Sequence, residues 1–281
     1  MNNLPNTQAS AVARFRELHE SGCFVLPNPW DVGTAVYLEH LGFQALATTS
    51  AGFAFSQGLP DSVSAVSCEA VLGHVSDLVK ATSLPVNADF QNGYAHDPEG
   101  VAGNVGRCVA TGVAGLSIED ANGNDTEPLY DLALAVERIK AARAAIDAAG
   151  VPVVLTGRCE AWLVGHPDPL RVSLERLVAY AEAGADCLYA PGVSAVDEIA
   201  AIVKAVSPKP VNVLVSAPGD LSLSVLGDLG VRRVSVGAAL ARVAWGAFIR
   251  AAQSIKETGT FDGLGDAAPF NQINDVFLKR A

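Results

Sequence analysis

The stretch TGVAGLSIED (residues 111–120) carries the pattern that decides the fold. A glycine ends a helix-like run, and a short apolar segment then leads to two acidic residues, Glu119 and Asp120. Glycine accepts the left-handed backbone conformation in which many helices end, so this pattern is typical of a connection from a helix to a strand. The same pattern recurs at LGFQAL (41–46), AGADCL (183–188) and LGVRRV (229–234). The repetition predicts a chain of alternating helices and strands.

Eight short β-branched segments are candidate strands, and amphipathic runs such as 129–150 and 174–184 lie between them as candidate helices. The candidate strands are residues 24–31, 45–52, 85–90, 115–120, 152–162, 187–192, 210–216 and 232–237. This order favours an α/β protein of the (β/α)8 TIM barrel class, with residues 1–281 as a single domain. A doubly wound open sheet is the alternative. Its dinucleotide-binding form is disfavoured because no GxGxxG motif follows the first strand.

The C-terminal part of the chain extends beyond the eighth predicted strand. Residues 243–259 are predicted to form a helix, and residues 260–281 an additional C-terminal helical arm. The arm contains five large apolar residues that need a surface to cover them: Phe261, Leu264, Phe270, Ile273 and Phe277. Two interpretations remain open, in which the arm packs on its own barrel or docks, swapped, on a second subunit.

Composition restricts the classes of partner. The 281 residues are 50% hydrophobic with a formal net charge of −11, which argues against binding to nucleic acid or to an anionic membrane. No apolar run is long enough to span a bilayer, and the first 20 residues lack the pattern of a signal peptide. The five cysteines are scattered without a CxxC pair. We therefore expect a cytoplasmic protein with free thiols and a small-molecule substrate.

Polar residues collect where the predicted strands end. Asn87 and Asp89 lie two positions apart on one face of the third strand, Glu119 ends the fourth, and Arg158 and Glu160 share a face of the fifth. Carboxylates that meet at one rim of a barrel repel each other unless a cation lies between them. Mg2+ suits such a site because it takes oxygen ligands and keeps waters that substrate oxygens can replace. Asp89 is therefore a predicted metal ligand.

The same residues also admit structural interpretations. Asp89 could cap the segment that follows it, and Glu119 could simply pair with Arg158. Arg158 offers a planar fork for a substrate carboxylate or phosphonate, but it could instead form a buried ion pair with Glu160. Asn87 could hydrogen-bond within the core or contact a ligand.

At this point the sequence resembles the isocitrate lyase and phosphoenolpyruvate mutase superfamily. The resemblance rests on the order and spacing of stretches at 26–52, 57–61, 85–94, 112–120, 157–165 and 183–192. It implies a TIM barrel with a swapped terminal helix, a homo-oligomer (dimer or tetramer), and Mg2+, for which Mn2+ can substitute. It also implies a 2-oxo acid or its enolate as the bound substrate.

The resemblance carries roles to individual positions. Asp89 matches the principal metal-binding aspartate and Glu119 the glutamate of the metal shell. Asp61 matches a further acid near the metal, and Arg158 matches the arginine that grips substrate, so both are predicted to be catalytic. The backbone N–H groups of Ser50 and Ala51 match the turn that holds the substrate carboxylate, and Asn87 is a further predicted substrate contact.

The sequence also departs from the family. The loop DANGNDTEPLYDL (120–132) lacks the cysteine of the KKCGH-like loop of isocitrate and methylisocitrate lyases, and the lysine that phosphonopyruvate enzymes place there. Asn87 stands where the family has the first aspartate of a DAD motif. We interpret Asn124 or Glu127 in this loop as candidates for proton transfer, and Asn124 is the predicted catalytic residue.

These observations predict a Mg2+-dependent lyase that acts on an oxaloacetate-like 2-oxo acid. It would cleave a C–C bond or decarboxylate the substrate through a metal-stabilised enolate. The alternatives are C–P chemistry of the phosphonopyruvate hydrolase or phosphoenolpyruvate mutase type, and a 2-oxo acid binding protein with little catalysis.

Overall fold

The eight strands form one parallel sheet that closes into a barrel. A computed structural model describes residues 8–63 and 65–279 of the chain. The strand order is β1-β8-β7-β6-β5-β4-β3-β2, with all pairs parallel. The Ala47 N–H donates to Pro27 O at 3.0 Å across the remaining gap between β1 and β2. The predicted TIM barrel is confirmed, and the open-sheet alternative is wrong because β1 pairs with β8.

The strands are short and all lie within the predicted segments, but the first, second and fifth end four or five residues earlier than predicted, and residues 50–52 belong to a helix. The strands are β1 (Phe24–Leu26), β2 (Leu46–Ala47), β3 (Val86–Asp89), β4 (Gly115–Glu119), β5 (Val154–Arg158), β6 (Cys187–Tyr189), β7 (Val211–Leu214) and β8 (Arg233–Ser235).

The first helix precedes β1, the last two follow β8, and the others connect successive strands. The helices are α1 (Gln8–Leu18), α2 (Val32–His40), α3 (Ser50–Ser56), α4 (Cys68–Ala81), α5 (Pro98–Ala110), α6 (Leu132–Ala148), α7 (Pro169–Glu182), α8 (Val196–Val206), α9 (Leu223–Asp228), α10 (Ala239–Thr258) and α11 (Phe270–Leu278), with a 3-10 turn at Asp262–Leu264.

The helix-ending glycines have the conformation that the sequence predicts. Gly42, Gly112, Gly184 and Gly230 all have positive φ angles, between 86° and 105°. Each lies directly after a helix and reverses the chain into the next strand. The repeated glycine pattern therefore builds four of the helix-to-strand connections of the barrel.

The parallel register brings the polar strand ends together. Glu119 on β4 is paired with Arg158 on β5, and Asp89 on β3 is paired with Ser117 on β4. The outer faces of the strands and the inner faces of the helices form a continuous apolar core. The interior of the barrel is instead lined in part by buried polar residues: Asn87, Ser117, Thr156, Asn212, Arg233 and Ser235. The polar interior therefore leads directly to the carboxyl ends of the strands.

The C-terminal arm contacts its own barrel only in part. Val276 of α11 is buried against Val36 and Ala81, and the Gln272 side chain donates to the Tyr37 hydroxyl at 3.2 Å. The five apolar residues that the sequence singled out remain exposed, and Phe270 is 78% exposed. Docking of the arm on a second subunit stays a prediction. No helix in the described part of the chain combines the length and apolarity needed to cross a lipid bilayer.

Candidate active site

A cavity of about 230 Å³ opens at the carboxyl ends of the strands. Six of the predicted site residues line it: Ser50, Ala51, Asp61, Asn87, Asp89 and Arg158. Glu119 and Asn124, also predicted for the site, are absent from its wall.

Asp89 is held at the cavity wall by two groups. Its Oδ2 accepts a hydrogen bond of 2.9 Å from the backbone N–H of Ser50, the first residue of α3. Its Oδ1 lies 3.3 Å from Nη1 of Arg158. The charge that compensates Asp89 in this structure is therefore the guanidinium of Arg158. The Ser50 N–H, predicted to bind the substrate carboxylate, binds the Asp89 carboxylate here.

Arg158 is surrounded by three carboxylates. Its Nη2 donates to Glu160 Oε2 at 3.0 Å, and its Nε donates to the other oxygen of the same carboxylate. Its Nη1 lies 3.2 Å from Glu119 Oε2 as well as near Asp89. Burial alone would lower the pKa of Arg158, but Glu160, Glu119 and Asp89 together raise it well above its ordinary value. The ion pair with Glu160 that the sequence allowed as an alternative is present, and the same side chain also reaches the cavity.

Glu119 lies behind Arg158. It is the last residue of β4 and only 9% exposed. Burial raises the pKa of its carboxyl well above the ordinary value, against the opposing effect of Arg158. Glu119 therefore contacts the predicted substrate arginine directly, and its place in a metal shell stays a prediction.

Asp61 brings a second carboxylate to the cavity. It lies in the loop after α3. Burial, and next the nearby charge of Asp89, raise the pKa of Asp61, while Arg158 lowers it. Two acidic groups thus share one cavity, and the pKa of Asp61 is raised there.

The chemistry of these donors fits Mg2+. Asp89 and Asp61 present carboxylate oxygens to one cavity, and Oδ1 of the buried Asn87 has no hydrogen-bond partner. Mg2+ is commonly bound through one or two carboxylates, with waters and substrate oxygens as its other ligands. Within residues 8–63 and 65–279, no group of three or more His, Cys, Asp or Glu side chains is arranged to hold a metal. These oxygen donors therefore suit a hard cation that keeps part of its water shell, and they are too few to enclose a cation completely.

Asn124 lies in the exposed loop after β4, outside the cavity. Its Oδ1 accepts hydrogen bonds from the backbone N–H groups of Thr126 and Glu127, at 2.8 and 3.2 Å. These bonds form a local turn. The structure therefore places the predicted proton-transfer residue in a turn of its own loop and not beside Asp89.

Asp120 and Cys159, which neighbour the site residues in sequence, face away from the cavity. Asp120 Oδ1 accepts from the Glu160 N–H at 2.8 Å, and its Oδ2 accepts from the Arg176 side chain at 3.0 Å and the Tyr180 hydroxyl at 2.6 Å. This buried network fixes the end of β5 beside Arg158. Cys159 is completely buried, which raises the pKa of its thiol, so it is a packing residue.

The cavity residues that sequence reasoning missed include Tyr189, Asn212, Arg233 and Arg242. Tyr189 lies beneath Arg158, with the guanidinium carbon 5.3 Å from its ring centre. The alternation of side chains along β6, β7 and β8 could have identified the first three as inward-facing.

Comparison with known proteins gives consistent similarities. Residues 15–256, which include all eight strands, match the profile of the family described as phosphoenolpyruvate phosphomutase. A crystal structure of a candidate lyase or mutase from Burkholderia cenocepacia J2315 is 50% identical, with a TM-score of 0.92 over 96% of this chain and 97% of that one.

Two relatives of described activity are also similar. An oxaloacetate decarboxylase from Bradyrhizobium sp. is 34% identical over 209 residues, which cover 70% of this chain and 67% of the relative. A 2-methylisocitrate lyase from Halalkalibacterium halodurans is 28% identical over 269 residues, which cover 91% of this chain and 85% of the relative.

Proposed function

This chain belongs to the phosphoenolpyruvate phosphomutase family, whose superfamily consists of C–C lyases and mutases, and on that premise we propose its specific reaction. It is a Mg2+-dependent lyase that acts on an oxaloacetate-like 2-oxo acid by C–C cleavage or decarboxylation. The similarity to an oxaloacetate decarboxylase supports this substrate class.

One observation carries the proposal. Asp89, Arg158 and the N–H of Ser50 meet within hydrogen-bond distance at the wall of a single cavity, although they come from three separate elements. A 2-oxo acid presents a carboxylate and an adjacent keto oxygen, and this cluster offers N–H donors beside carboxylate oxygens that can hold a cation.

Asp89 would hold the Mg2+, with Glu119 behind Arg158 contributing negative charge. When bound, the cation would act as a Lewis acid toward the keto oxygen and stabilise negative charge there.

The chain's own residues would orient the substrate and move the proton. Arg158 is fixed by Glu160, and the second N–H of its Nη2, which does not bond to Glu160, would bind the substrate carboxylate with little loss of side-chain entropy. The carboxyl of Asp61, which lines the same cavity and has a raised pKa, would deliver a proton to the substrate carbon after C–C bond cleavage.

A second candidate function is the transfer or hydrolysis of a phosphonate group. The match to the phosphoenolpyruvate phosphomutase profile favours it. The loop at 120–132 contains no lysine, which counts against it.

A substrate panel tests both candidates. Purified protein with Mg2+ is incubated with oxaloacetate, 2-oxoglutarate, phosphonopyruvate and branched 2-oxo diacids, and products are followed by NMR. Pyruvate without phosphate supports the lyase. Phosphate or phosphoenolpyruvate from phosphonopyruvate supports C–P chemistry instead. Turnover of none of these compounds would contradict both.

A further inference from the structure

The floor of the cavity contains a buried cation that is not balanced by a carboxylate. Arg233, the first residue of β8, is 2% exposed. Its Nε donates to Asn212 Oδ1 at 2.8 Å, and its Nη2 donates to Thr156 Oγ1 at 3.0 Å. No carboxylate within residues 8–63 and 65–279 forms an ion pair with it.

The third partner of Arg233 is also neutral. Nη1 of Arg233 lies 3.3 Å from Nε2 of His19, and Nδ1 of His19 lies 2.6 Å from the carbonyl oxygen of Phe15. Because the carbonyl oxygen can only accept, Nδ1 carries the proton and Nε2 is the acceptor. Burial, and next the charge of Arg233, lower the pKa of His19 to about 3. A buried charge with only neutral partners costs free energy that a bound anion would recover.

Arg233 faces the same cavity as the proposed catalytic cluster. Both Arg233 and Arg158 line it. Thr156, which contacts Arg233, precedes Arg158 by two residues on β5, a separation of about 7 Å along the strand. The wall between the two arginines includes the polar side chains of Ser117 and Ser235. The cavity is therefore polar, with Arg158 near its opening and Arg233 at its inner end.

We propose that Arg233 binds the distal carboxylate of a 2-oxo diacid whose 2-oxo acid end lies at Arg158. This rests on the proposed function and specifies its substrate class as dicarboxylic. A four- or five-carbon diacid places its carboxylate carbons about 4–5 Å apart when extended. Both arginines line one cavity of about 230 Å³, so a diacid bound there would have one cation for each carboxylate.

The test compares two ligands that differ by one carboxylate. Binding of malate and lactate, the reduced counterparts of oxaloacetate and pyruvate, is measured by calorimetry with Mg2+ present. The wild type should bind malate more tightly than lactate. Arg233→Gln should weaken malate binding about 10- to 100-fold and leave lactate within about 3-fold, because only the contact to the distal carboxylate is lost. Arg233→Lys keeps the charge without the fork and should weaken malate binding by a smaller factor.

Arg232→Gln is the matched control. Arg232 is the adjacent residue but points outward, with Nη1 donating to Gly22 O at 3.2 Å. It should leave the preference for malate unchanged. Arg242→Gln tests the other location for the distal carboxylate, because Arg242 is exposed at the rim of the cavity.

The outcomes separate this inference from the proposed function. A reduced preference for malate in both Arg233 variants, with the smaller reduction in Arg233→Lys, supports the inference even if the wild type turns over no 2-oxo acid in the NMR panel. The inference is overturned if the Arg233 variants keep the preference, if Arg242→Gln removes it, or if the wild type shows none. Wild-type turnover together with any of those results would leave the lyase assignment intact.

Discussion

Asp120 offers the sharpest prediction about stability, because its buried carboxylate holds the end of β5 in place. It is 3% exposed and accepts from the Glu160 N–H, the Arg176 guanidinium and the Tyr180 hydroxyl. Asp120→Asn keeps the shape of the side chain but removes the charge opposite Arg176. The guanidinium then keeps only neutral acceptors such as the Tyr130 carbonyl oxygen, at 2.7 Å.

The cost can be worked out from this geometry. Removing one partner of a buried ion pair typically costs about 3–5 kcal/mol. The retained bond from Arg176 to Tyr130 places this substitution at the lower end, so we expect the free energy of unfolding to fall by about 3 kcal/mol. Arg176→Met should cost a similar amount. The double variant should be more stable than the sum of the two losses predicts, with a coupling of about 2 kcal/mol.

Urea denaturation followed by circular dichroism gives the four free energies of the cycle. Glu137→Gln is the control, since its ion pair with Lys140 is more than half exposed at both ends and should change stability by less than about 0.5 kcal/mol. A loss below about 1 kcal/mol for Asp120→Asn, or strict additivity in the double variant, would refute the reasoning.

Two further predictions concern packing and pH. A Cβ at Gly115 would lie 2.6 Å from both Asn87 Oδ1 and a ring carbon of Phe15, so Gly115→Ala should cost about 1–3 kcal/mol in urea denaturation. Gly103→Ala, where a Cβ meets nothing within 4 Å, should be neutral or stabilising; equal effects of the two would contradict the packing argument. Burial lowers the pKa of His74 from 6.5 to about 4, so protonation favours the unfolded chain and stability falls as pH drops through 6.5. Between pH 8 and pH 5, the free energy of unfolding of the wild type should therefore fall by about 2 kcal/mol more than that of His74→Gln. Equal losses would count against a buried neutral imidazole.

The fold could be predicted because its signals are local and repeated. Helix-ending glycines and short β-branched runs located all eight strands, and the third was predicted at 85–90 and found at Val86–Asp89. The fifth strand, predicted to extend to residue 162, ends at Arg158. The N–H of Glu160 donates to the Asp120 side chain and not to a neighbouring strand, a tertiary contact that local sequence does not encode.

The candidate site was predictable only at the strand ends. Parallel strands bring their carboxyl ends together, which is why the carboxylates of Asp89 and Glu119 both lie beside the guanidinium of Arg158. Asn124 lies on a long loop, where its position depends on hydrogen bonds within that loop. Arg233 begins its strand, away from the carboxyl end where functional residues are expected, yet its side chain lines the cavity.

The rate of pyruvate formation from oxaloacetate, measured against Mg2+ concentration, tests the central claim most directly. After the protein-free rate at each Mg2+ concentration is subtracted, the wild type should form pyruvate only with the metal present, and Asp89→Ala should form none. Asp77→Ala removes an exposed carboxylate on α4 and should behave as the wild type. Turnover that persists in chelator, or that survives in Asp89→Ala, would contradict the claim that a cation held at this cavity stabilises the developing charge.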